Sequence, residues 1–521
     1  MSVNKPVTTR NVTRRSLFTL AAAAGVGVVG ACSNDAATTR TAASPSSPVR
    51  RVGPTDPLVR RTEAGRPGSG RTIGAALNAT AMSTRIGGAP VQTWGYNRGL
   101  PGPLLRSRVG DTLAVAQHNG LPEATSMHFH GLALRNDMDG VPALTQAATA
   151  PGAAFTATFK TAHPGTYWYH SHMELQRDRA LYGPLIVDDP HEPLPYDAEW
   201  VVLLDDWLDG IDGRTPAIQA ATLSKGMGST GSGRSGMSGM SGMSGGGSST
   251  ASPFLGSDGG DVNYPLHLVN GRDPLDPEVF RAKAGQRVRI RLINSAGDTA
   301  YRVGIPGVRL TVTHTDGFPV VHQEVDALVL GMGERFDVLV TVPDHPVPLT
   351  VLAEGKTGRT FAILDAGRGR RPTAASVPTR LGGKVIGARM TAADPSVRLA
   401  PKEADVTHTL AMTGSMSRYD WGINGRRYDE SDPFASAVDI RAGHRVRLDF
   451  ANRTMMWHPM HLHGHTFQVG ATGPRKDTVV VKPMETVSVF FDADNPGQWL
   501  THCHNAYHAA RGMMAVVSYV Q

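Results

Sequence analysis

Three segments of the sequence share one pattern, which constrains the fold more than any other feature. They are residues 108–119, 283–294 and 441–452, and in each a Gly precedes an Asn by nine residues. Between these two positions apolar and polar residues mostly alternate, as they do in a β-strand with one buried face. The glycines are 175 and 158 residues apart, so the repeating unit has the size of a domain. We therefore predict an all-β chain of three related domains.

The predicted boundaries follow from the positions of these segments and of the low-complexity stretches. The chain of 521 residues is long enough for three domains. Its 59 Gly and 36 Pro, with few stretches of helical periodicity, favour β-structure throughout. We place the domains at residues 71–190, 196–370 and 380–521. A Ser/Gly/Met-rich stretch at 223–249 predicts a mobile loop near the start of the middle domain.

Residues 1–32 are predicted to direct export. An Arg pair at 14–15 precedes the apolar run 17–30, as in a twin-arginine signal, and this run is too short for an ordinary membrane span. The Val-Gly-Ala-Cys sequence that ends at Cys32 resembles a lipobox, so we expect a lipid on that sulfur; cleavage to a soluble product is the alternative. The composition of residues 33–70, rich in Ala, Thr, Ser, Pro and Arg, predicts a disordered tether. The expected location is the cell envelope or periplasmic space, with a lipid anchor in the membrane.

Charge and cysteine content exclude some functions. The net charge of +7 comes mostly from scattered arginines, with no dense basic run that would suit a nucleic acid. The two cysteines are Cys32 and Cys503, and a disulfide between them is not expected because Cys32 lies at the end of the export segment. Cys503 is then a lone thiol in an exported protein. A bound metal would protect it.

Residues 502–513 combine three kinds of soft or borderline metal ligand. Cys503, His508 and Met513 provide a thiolate, an imidazole and a thioether, which are the ligand types of a blue-copper electron-transfer site. His458 provides a second imidazole from upstream. The first domain lacks this set, because Thr and Ser occupy the positions that correspond to His458 and Cys503. One such site is therefore predicted.

Eight more histidines fall at matched positions in the first and third domains. Counted from the shared Asn, histidines stand at +9 and +11 in both, whereas the middle domain has Val303 and Ile305 there. In both domains a Pro-Gly pair precedes a second His-x-His by six residues. Imidazole suits zinc as well as copper, but the single thiolate with a Met favours redox copper. Eight imidazoles suit three copper ions with positions open to oxygen species: His128, His130, His170, His172, His461, His463, His502 and His504.

These motifs give the chain a family resemblance. Residues 128–131, 170–172, 458–464 and 502–513 resemble the four copper motifs of three-domain multicopper oxidases. The resemblance covers about residues 70–521. The export signal and the Met-rich stretch make the chain most similar to bacterial copper-efflux (cuprous) oxidases, including the mycobacterial multicopper oxidase.

The resemblance implies a fold and a set of sites. Each domain would be a cupredoxin-like Greek-key β-barrel or sandwich, and a trinuclear copper cluster would lie between domains one and three. Four copper ions per chain are expected. Type 1 copper would be bound by His458, Cys503, His508 and Met513, type 2 by His128 and His461, and the type 3 pair by His130, His170, His172, His463, His502 and His504.

The resemblance also implies a mechanism. A small reductant would give single electrons to type 1 copper, and Cys503 with His502 and His504 would carry them to the cluster, where dioxygen is reduced to water. Asp139 matches the acidic residue that follows the first motif in the family, so it is a candidate proton relay; a turn carboxylate in an Asp-Gly pair is the alternative. Alanines at 506 and 509 occupy the candidate positions of a second acid, so that part of the relay is in doubt.

The predicted substrate depends on the Met-rich stretch. Thioethers favour Cu(I), so we expect oxidation of Cu(I) to Cu(II) for copper tolerance, by an enzyme that acts as a monomer. A laccase-type oxidase of phenols or aromatic amines, and an Fe(II) or Mn(II) oxidase, would use the same copper ligands. A copper-sequestering lipoprotein without enzymatic activity is a further alternative. The thioethers belong to Met227, Met237, Met240 and Met243.

Overall fold

The computed structural model describes residues 49–226 and 251–521, which form six β-sheets in three successive pairs. The predicted export segment, Cys32 and the four methionines of the predicted copper-binding loop lie outside the described residues. In the described part, no helix combines the length and apolar character needed to cross a membrane. The helices are α1 (Pro57–Gly65), α2 (Pro216–Leu223) and α3 (Ala506–Ala510), with short 3-10 turns at Asn136–Met138, Arg177–Arg179, Ala374–Ser376, Ala388–Met390 and Pro395–Val397.

The first pair of sheets uses residues 72–188. Its strands are β1 (Thr72–Ile86), β2 (Ala89–Tyr96), β3 (Leu105–Arg108), β4 (Thr112–Asn119), β5 (His128–His130), β6 (Ala154–Lys160), β7 (Gly165–His170) and β8 (Tyr182–Asp188). One sheet has the order β2-β1-β4-β6 and the other the order β3-β8-β7-β5. A buried apolar core that includes Leu113, Val115 and Phe129 belongs to this domain.

The second pair of sheets has six strands in each sheet. Its strands are β9 (Ala198–Trp207), β10 (Leu266–Val269), β11 (Val279–Arg281), β12 (Arg287–Asn294), β13 (Tyr301–Gly304), β14 (Leu310–Thr315), β15 (Phe318–Val325), β16 (Ala327–Leu330), β17 (Arg335–Thr341), β18 (Val347–Ala353), β19 (Arg359–Asp365) and β20 (Val385–Gly387). The orders are β10-β9-β12-β17-β14-β15 and β11-β19-β18-β13-β16-β20.

The third pair of sheets carries the C-terminal motif. Its strands are β21 (Val406–Thr413), β22 (Gly422–Ile423), β23 (Val438–Ile440), β24 (Arg445–Asn452), β25 (His458–Leu462), β26 (Phe467–Val469), β27 (Arg475–Lys476), β28 (Thr478–Val481), β29 (Thr486–Asp492), β30 (Gln498–Cys503) and β31 (Met514–Tyr519). The orders are β22-β21-β24-β29-β26-β27 and β23-β31-β30-β25-β28. Cys503 and Met513 are both part of its buried core.

The shared Gly of the three related segments has the same backbone conformation in each domain. Gly110, Gly285 and Gly443 have φ values of +85°, +82° and +83°, a region that glycine enters without the steric cost of a Cβ. The strands that follow, β4, β12 and β24, each pair with a parallel strand on one side and an antiparallel strand on the other. The three segments thus begin equivalent central strands.

The shared Asn explains why the histidine offsets match. Asn119, Asn294 and Asn452 end these strands and are fully buried. In each, Oδ1 accepts a hydrogen bond from the backbone N–H two residues later, and Nδ2 donates to a carbonyl four or five residues later. The side chain therefore fixes the loop that leads to the next strand. In domains one and three, that strand carries the histidines.

Two predicted boundaries differ from the structure. The prediction of a disordered tether is wrong for residues 49–70: Asp56 caps α1, Pro57 occupies its first turn, and Val59 is buried. Composition alone does not reveal this short capped helix, which forms because its apolar side packs on the third domain's core. The boundary at 380 is also wrong by a few residues, because β20 pairs with β16 of the middle domain.

Candidate metal centre

Strand pairing brings the predicted histidines together. In domain one, β5 and β7 are paired so that His128 is opposite His170. In domain three, β25 and β30 are paired so that His461 is opposite His502. The two domains meet at these strands, since the rings of His128 and His463 are stacked with centroids 3.8 Å apart.

A first group of possible ligands, called here the thiolate group, consists of Cys503, His458 and His508. Sγ of Cys503 lies 3.6 Å from Nδ1 of His458 and 3.6 Å from Nδ1 of His508, and the two nitrogens are 3.1 Å apart. These separations suit ligands of one ion, since a metal lies about 2.0–2.3 Å from such atoms. The opposite ring nitrogens are held by the protein: Nε2 of His458 is 2.8 Å from the Thr454 hydroxyl, and Nε2 of His508 is 2.9 Å from an Asp261 carboxylate oxygen.

The chain after Cys503 folds back over this group. Asn505 caps α3 by accepting hydrogen bonds from two backbone N–H groups, one of them that of His508. Met513 is buried, its carbonyl accepts a hydrogen bond from the Cys503 N–H at 3.0 Å, and its N–H donates to the His508 carbonyl at 3.1 Å. Cys503, His508 and Met513, the three C-terminal members of the predicted type 1 set, are therefore held together by backbone hydrogen bonds within residues 503–513.

The eight other histidines form three groups, two of which share His130. In each group the possible ligand atoms lie within 4.8 Å of one another. In one of them, Nε2 of His502 is 3.1 Å from Nε2 of His463 and 3.4 Å from Nε2 of His172. The groups are His128, His130 and His461; His130, His170 and His504; and His172, His463 and His502.

Unpartnered ring nitrogens test whether these residues fit metal ions. Four of these eight histidines each have one buried ring nitrogen without a hydrogen-bond partner, whereas the other ring nitrogen is bonded to a backbone or carboxylate oxygen. Buried polar atoms rarely lack a partner, and this one-sided bonding is how metal-ligating imidazoles are held. The residues therefore fit metal ions, and the open atoms are Nε2 of His128, Nδ1 of His130, Nε2 of His170 and Nε2 of His461.

Burial keeps most of the imidazoles neutral, which is the form that binds metal. Desolvation lowers the pKa of six of them well below the ordinary value. His508 differs: although desolvation lowers its pKa, the Asp261 carboxylate raises it to about 10, so a proton occupies this ring when no metal is bound. The six are His130, His170, His458, His463, His502 and His504.

Asp139, the predicted relay residue, touches the histidine groups. Its Oδ2 lies 2.9 Å from Nδ1 of His463, and its backbone carbonyl lies 2.8 Å from Nδ1 of His128. It is fully buried. The carboxylate therefore contacts a histidine of domain three from domain one. The backbone turns directly after it, because Gly140 has φ +81° and packs directly on Met127.

Three charged residues at the site were not predicted. Asp261 contacts His508, Asp477 contacts His130, and Arg177 donates to Nδ1 of His504 at 2.7 Å. Sequence motifs gave no signal for them, because each contact joins positions hundreds of residues apart.

The comparisons with known proteins agree with this geometry. Multicopper oxidase family models match residues 78–192, 199–365 and 401–521. The chain is 46% identical over 467 residues to multicopper oxidase MmcO of Mycobacterium tuberculosis, covering 88% of this chain and 89% of that protein. The chain belongs to the multicopper oxidase family. It is an oxidoreductase that binds copper, and oxidases of this family use a small reductant and dioxygen.

More distant relatives extend the comparison. The chain is 28% identical to a copper resistance protein A homolog of Pseudomonas syringae pv. tomato, covering 85% of this chain and 92% of that one. The crystal structure of Fet3p, a multicopper oxidase that functions in iron import, superposes with a TM-score of 0.71 at 21% identity, covering 86% of this chain and 90% of that one. At that identity the likeness concerns the fold alone. The predicted fold of three cupredoxin-like domains is confirmed.

Proposed function

We propose that this multicopper oxidase is a cuprous oxidase, which couples oxidation of Cu(I) to Cu(II) to the four-electron reduction of dioxygen to water. It would hold four copper ions. Type 1 copper would be held by His458, Cys503, His508 and Met513, type 2 by His128 and His461, and the type 3 pair by His130, His170, His172, His463, His502 and His504.

One observation carries the proposal: three consecutive residues join the two kinds of site. Cys503 belongs to the thiolate group, His502 to one histidine group and His504 to another. Copper bound at these sites would accept electrons singly from a reductant and deliver four of them to dioxygen. The Cys503 side chain and the short backbone on either side of it then provide a covalent path between the sites.

Residues around the ligands would orient them and exclude water. Thr454 and Asp261 fix the rings of His458 and His508, so that both Nδ1 atoms face Cys503. Asp139 holds His463 through Oδ2, and the same oxygen is where a proton would be held for transfer to reduced oxygen. All these side chains are buried or nearly so.

Several observations support Cu(I) as the substrate. The relatives named above include a copper resistance protein. Asp261 Oδ1 is buried without a hydrogen-bond partner, next to a proposed type 1 ligand, where it could accept a cation. The segments on either side of the Met-rich stretch also support it. Leu223 of α2 packs on the core that contains Cys503, and Asp261 follows the end of the stretch by 12 residues in the sequence.

A laccase-type activity is the second candidate. The chain is 28% identical to laccase-2 of Botryotinia fuckeliana, covering 80% of this chain and 77% of that one. The geometry at His508 supports it less well, because Asp261 occupies the outer ring nitrogen and Tyr419, which donates to Asp261 at 2.6 Å, is only 2% exposed. A phenol ring would have to displace both side chains to contact this imidazole.

Replacing the four methionines of the Met-rich stretch should lower Cu(I) turnover more than phenol turnover, because only Cu(I) needs thioether ligands. Met227, Met237, Met240 and Met243 would be changed together to Leu, and steady-state rates measured on Cu(I), Fe(II) and a phenol. Four Ser→Ala changes within 229–249 provide the length-matched control. An equal loss on all three substrates would contradict the Cu(I) proposal.

An Asp261→Asn variant should raise the reduction potential of the copper at Cys503. The change keeps an acceptor for His508 but removes a negative charge that favours Cu(II) over Cu(I). A redox titration of the blue thiolate–copper absorption measures the potential. Asp420→Asn, one residue beyond Tyr419 and paired with Arg418, is the matched control and should leave the potential unchanged. An unchanged potential in Asp261→Asn would show that the carboxylate does not act on the copper.

The proposal includes the setting of the enzyme. The twin-arginine sequence supports export, and the Val-Gly-Ala-Cys sequence supports a lipid anchor on Cys32 in the cell envelope. One chain contains both halves of the proposed cluster, which supports a monomer.

A further inference from the structure

The middle domain approaches the histidine groups although none of the proposed ligands comes from it. Its loop between β16 and β17 contains Gly333, which has φ +84°. A Cβ at this position would lie 3.0 Å from ring atoms of His504 and 3.1 Å from Cε1 of His130. The loop backbone is thus in close contact with two proposed type 3 ligands, and only glycine fits there.

Arg335, two residues further on, joins all three domains. Its guanidinium donates to both carboxylate oxygens of Asp477 in domain three, at 2.7 and 2.6 Å. Its Nε donates to the carbonyl of Thr166 in domain one at 3.1 Å. The Arg335 and Asp477 side chains are both 0% exposed. A bidentate pair of this kind fixes the orientation of both partners.

Asp477 transmits this orientation to two histidines from different domains. Its Oδ1 lies 2.9 Å from Nε2 of His130, and its backbone carbonyl lies 2.8 Å from Nδ1 of His461. The opposite nitrogens of these two rings are among those without a partner. Thr478 adds a hydroxyl that is 3.1 Å from each of the bonded nitrogens. One short segment therefore sets the direction in which both rings face the proposed cluster.

A second carboxylate of the middle domain holds the same segment. Asp316 Oδ2 accepts hydrogen bonds from the backbone N–H groups of Asp477 and Thr478, at 3.3 and 3.2 Å. Its Oδ1 accepts one from the backbone N–H of Arg335 at 2.9 Å. Lys476 lies 3.0 Å from Asp316 and balances its charge. Both the side chain and the backbone of Asp477 are therefore fixed from the middle domain.

We propose that Arg335 is a positioning residue of the trinuclear cluster, through which the ligand-free middle domain orients His130 and His461. The inference rests on the copper assignment proposed above. Without the guanidinium, Asp477 would be a buried carboxylate that lacks its counter-charge. Its Oδ1 would then not be held at the position that His130 requires.

The test uses an Arg335→Lys variant of the full chain, loaded with copper. Lys keeps the charge but cannot bond both carboxylate oxygens. We expect copper affinity at the cluster, and oxygen consumption, to fall by about 10- to 100-fold. The electron paramagnetic resonance spectrum of the type 2 copper should change, whereas the blue absorption of the copper at Cys503 should stay unchanged. Arg289→Lys is the matched control, because Arg289 is also buried and bonded to a buried carboxylate, that of Asp337, but contacts no proposed ligand.

The outcomes separate positioning from stability. Cluster spectra and copper content equal to wild type in Arg335→Lys would overturn the inference. Equal losses of the type 2 spectrum and of the blue absorption in Arg335→Lys and Arg289→Lys would also overturn it. If Arg335→Lys does not fold, Asp477→Asn decides, since an amide has only one oxygen and cannot accept both guanidinium hydrogen bonds while it faces His130. An unchanged cluster spectrum in that variant would also overturn the inference. Failure of the proposed function is distinguishable, because it would appear in wild type as absent copper or absent Cu(I)-dependent oxygen consumption.

Discussion

Replacing Cys503 with Ser should lower steady-state oxygen consumption by more than about 100-fold with every reductant, since loss of an outer partner of a metal ligand alone costs about 10- to 100-fold. Serine is similar in volume, but its hydroxyl does not replace a thiolate as a soft ligand. The side chain is fully buried beside His458 and His508. Cys503 is the only cysteine among the described residues, so no other thiol there can replace it. The measurements are oxygen uptake, copper content and the blue absorption.

The same variant provides its own control. His502 and His504 remain, and their strand is held by backbone pairing of β30 with β25 and β31. The histidine groups should therefore still bind copper. After chemical reduction this copper should react once with dioxygen, but it should not turn over, because the path for further electrons is missing. Turnover at the wild-type rate would refute the proposed electron path.

The sequence allowed much of this arrangement to be predicted, for a physical reason. Asn119 and Asn452 each fix the loop after an equivalent central strand, so equal offsets along the chain correspond to equal positions in space. The histidines at +9 and +11 are brought together across the two domains. The sequence also showed that the middle domain has no histidines at these offsets.

The contacts that orient the proposed ligands could not be predicted. Asp261 and His508 are 247 residues apart in the chain, and His130 and Asp477 are 347 apart. Strand and helix periodicities describe only local neighbours, so no pattern in the sequence relates such pairs. The sequence of the middle domain has no histidines at the matched offsets, so it gave no reason to connect Arg335 with the histidine groups. Its contacts become visible only when three domains are placed together.

Asp139 is where the second large effect is expected. Asp139→Ala removes the oxygen that lies 2.9 Å from Nδ1 of His463, so the ring loses the partner that fixes its orientation. We expect copper content at the histidine groups and oxygen consumption to fall by about 10- to 100-fold. Asp137→Ala is the matched control, since it lies two residues earlier, bonds only to Arg135 among the described side chains, and should leave both quantities near wild type.

Asp139→Asn separates positioning from proton transfer. Asparagine has nearly the same shape and keeps an oxygen that can accept from His463, but an amide does not exchange a proton as a carboxyl group does. If Asp139 relays protons, this variant should keep its copper while oxygen consumption falls by about 10²-fold or more, and the remaining rate should depend on pH differently from wild type. Full activity with full copper content would show that the hydrogen bond to His463 is its whole contribution. Loss of copper in Asn as well as in Ala would mean that the charge itself holds the site together.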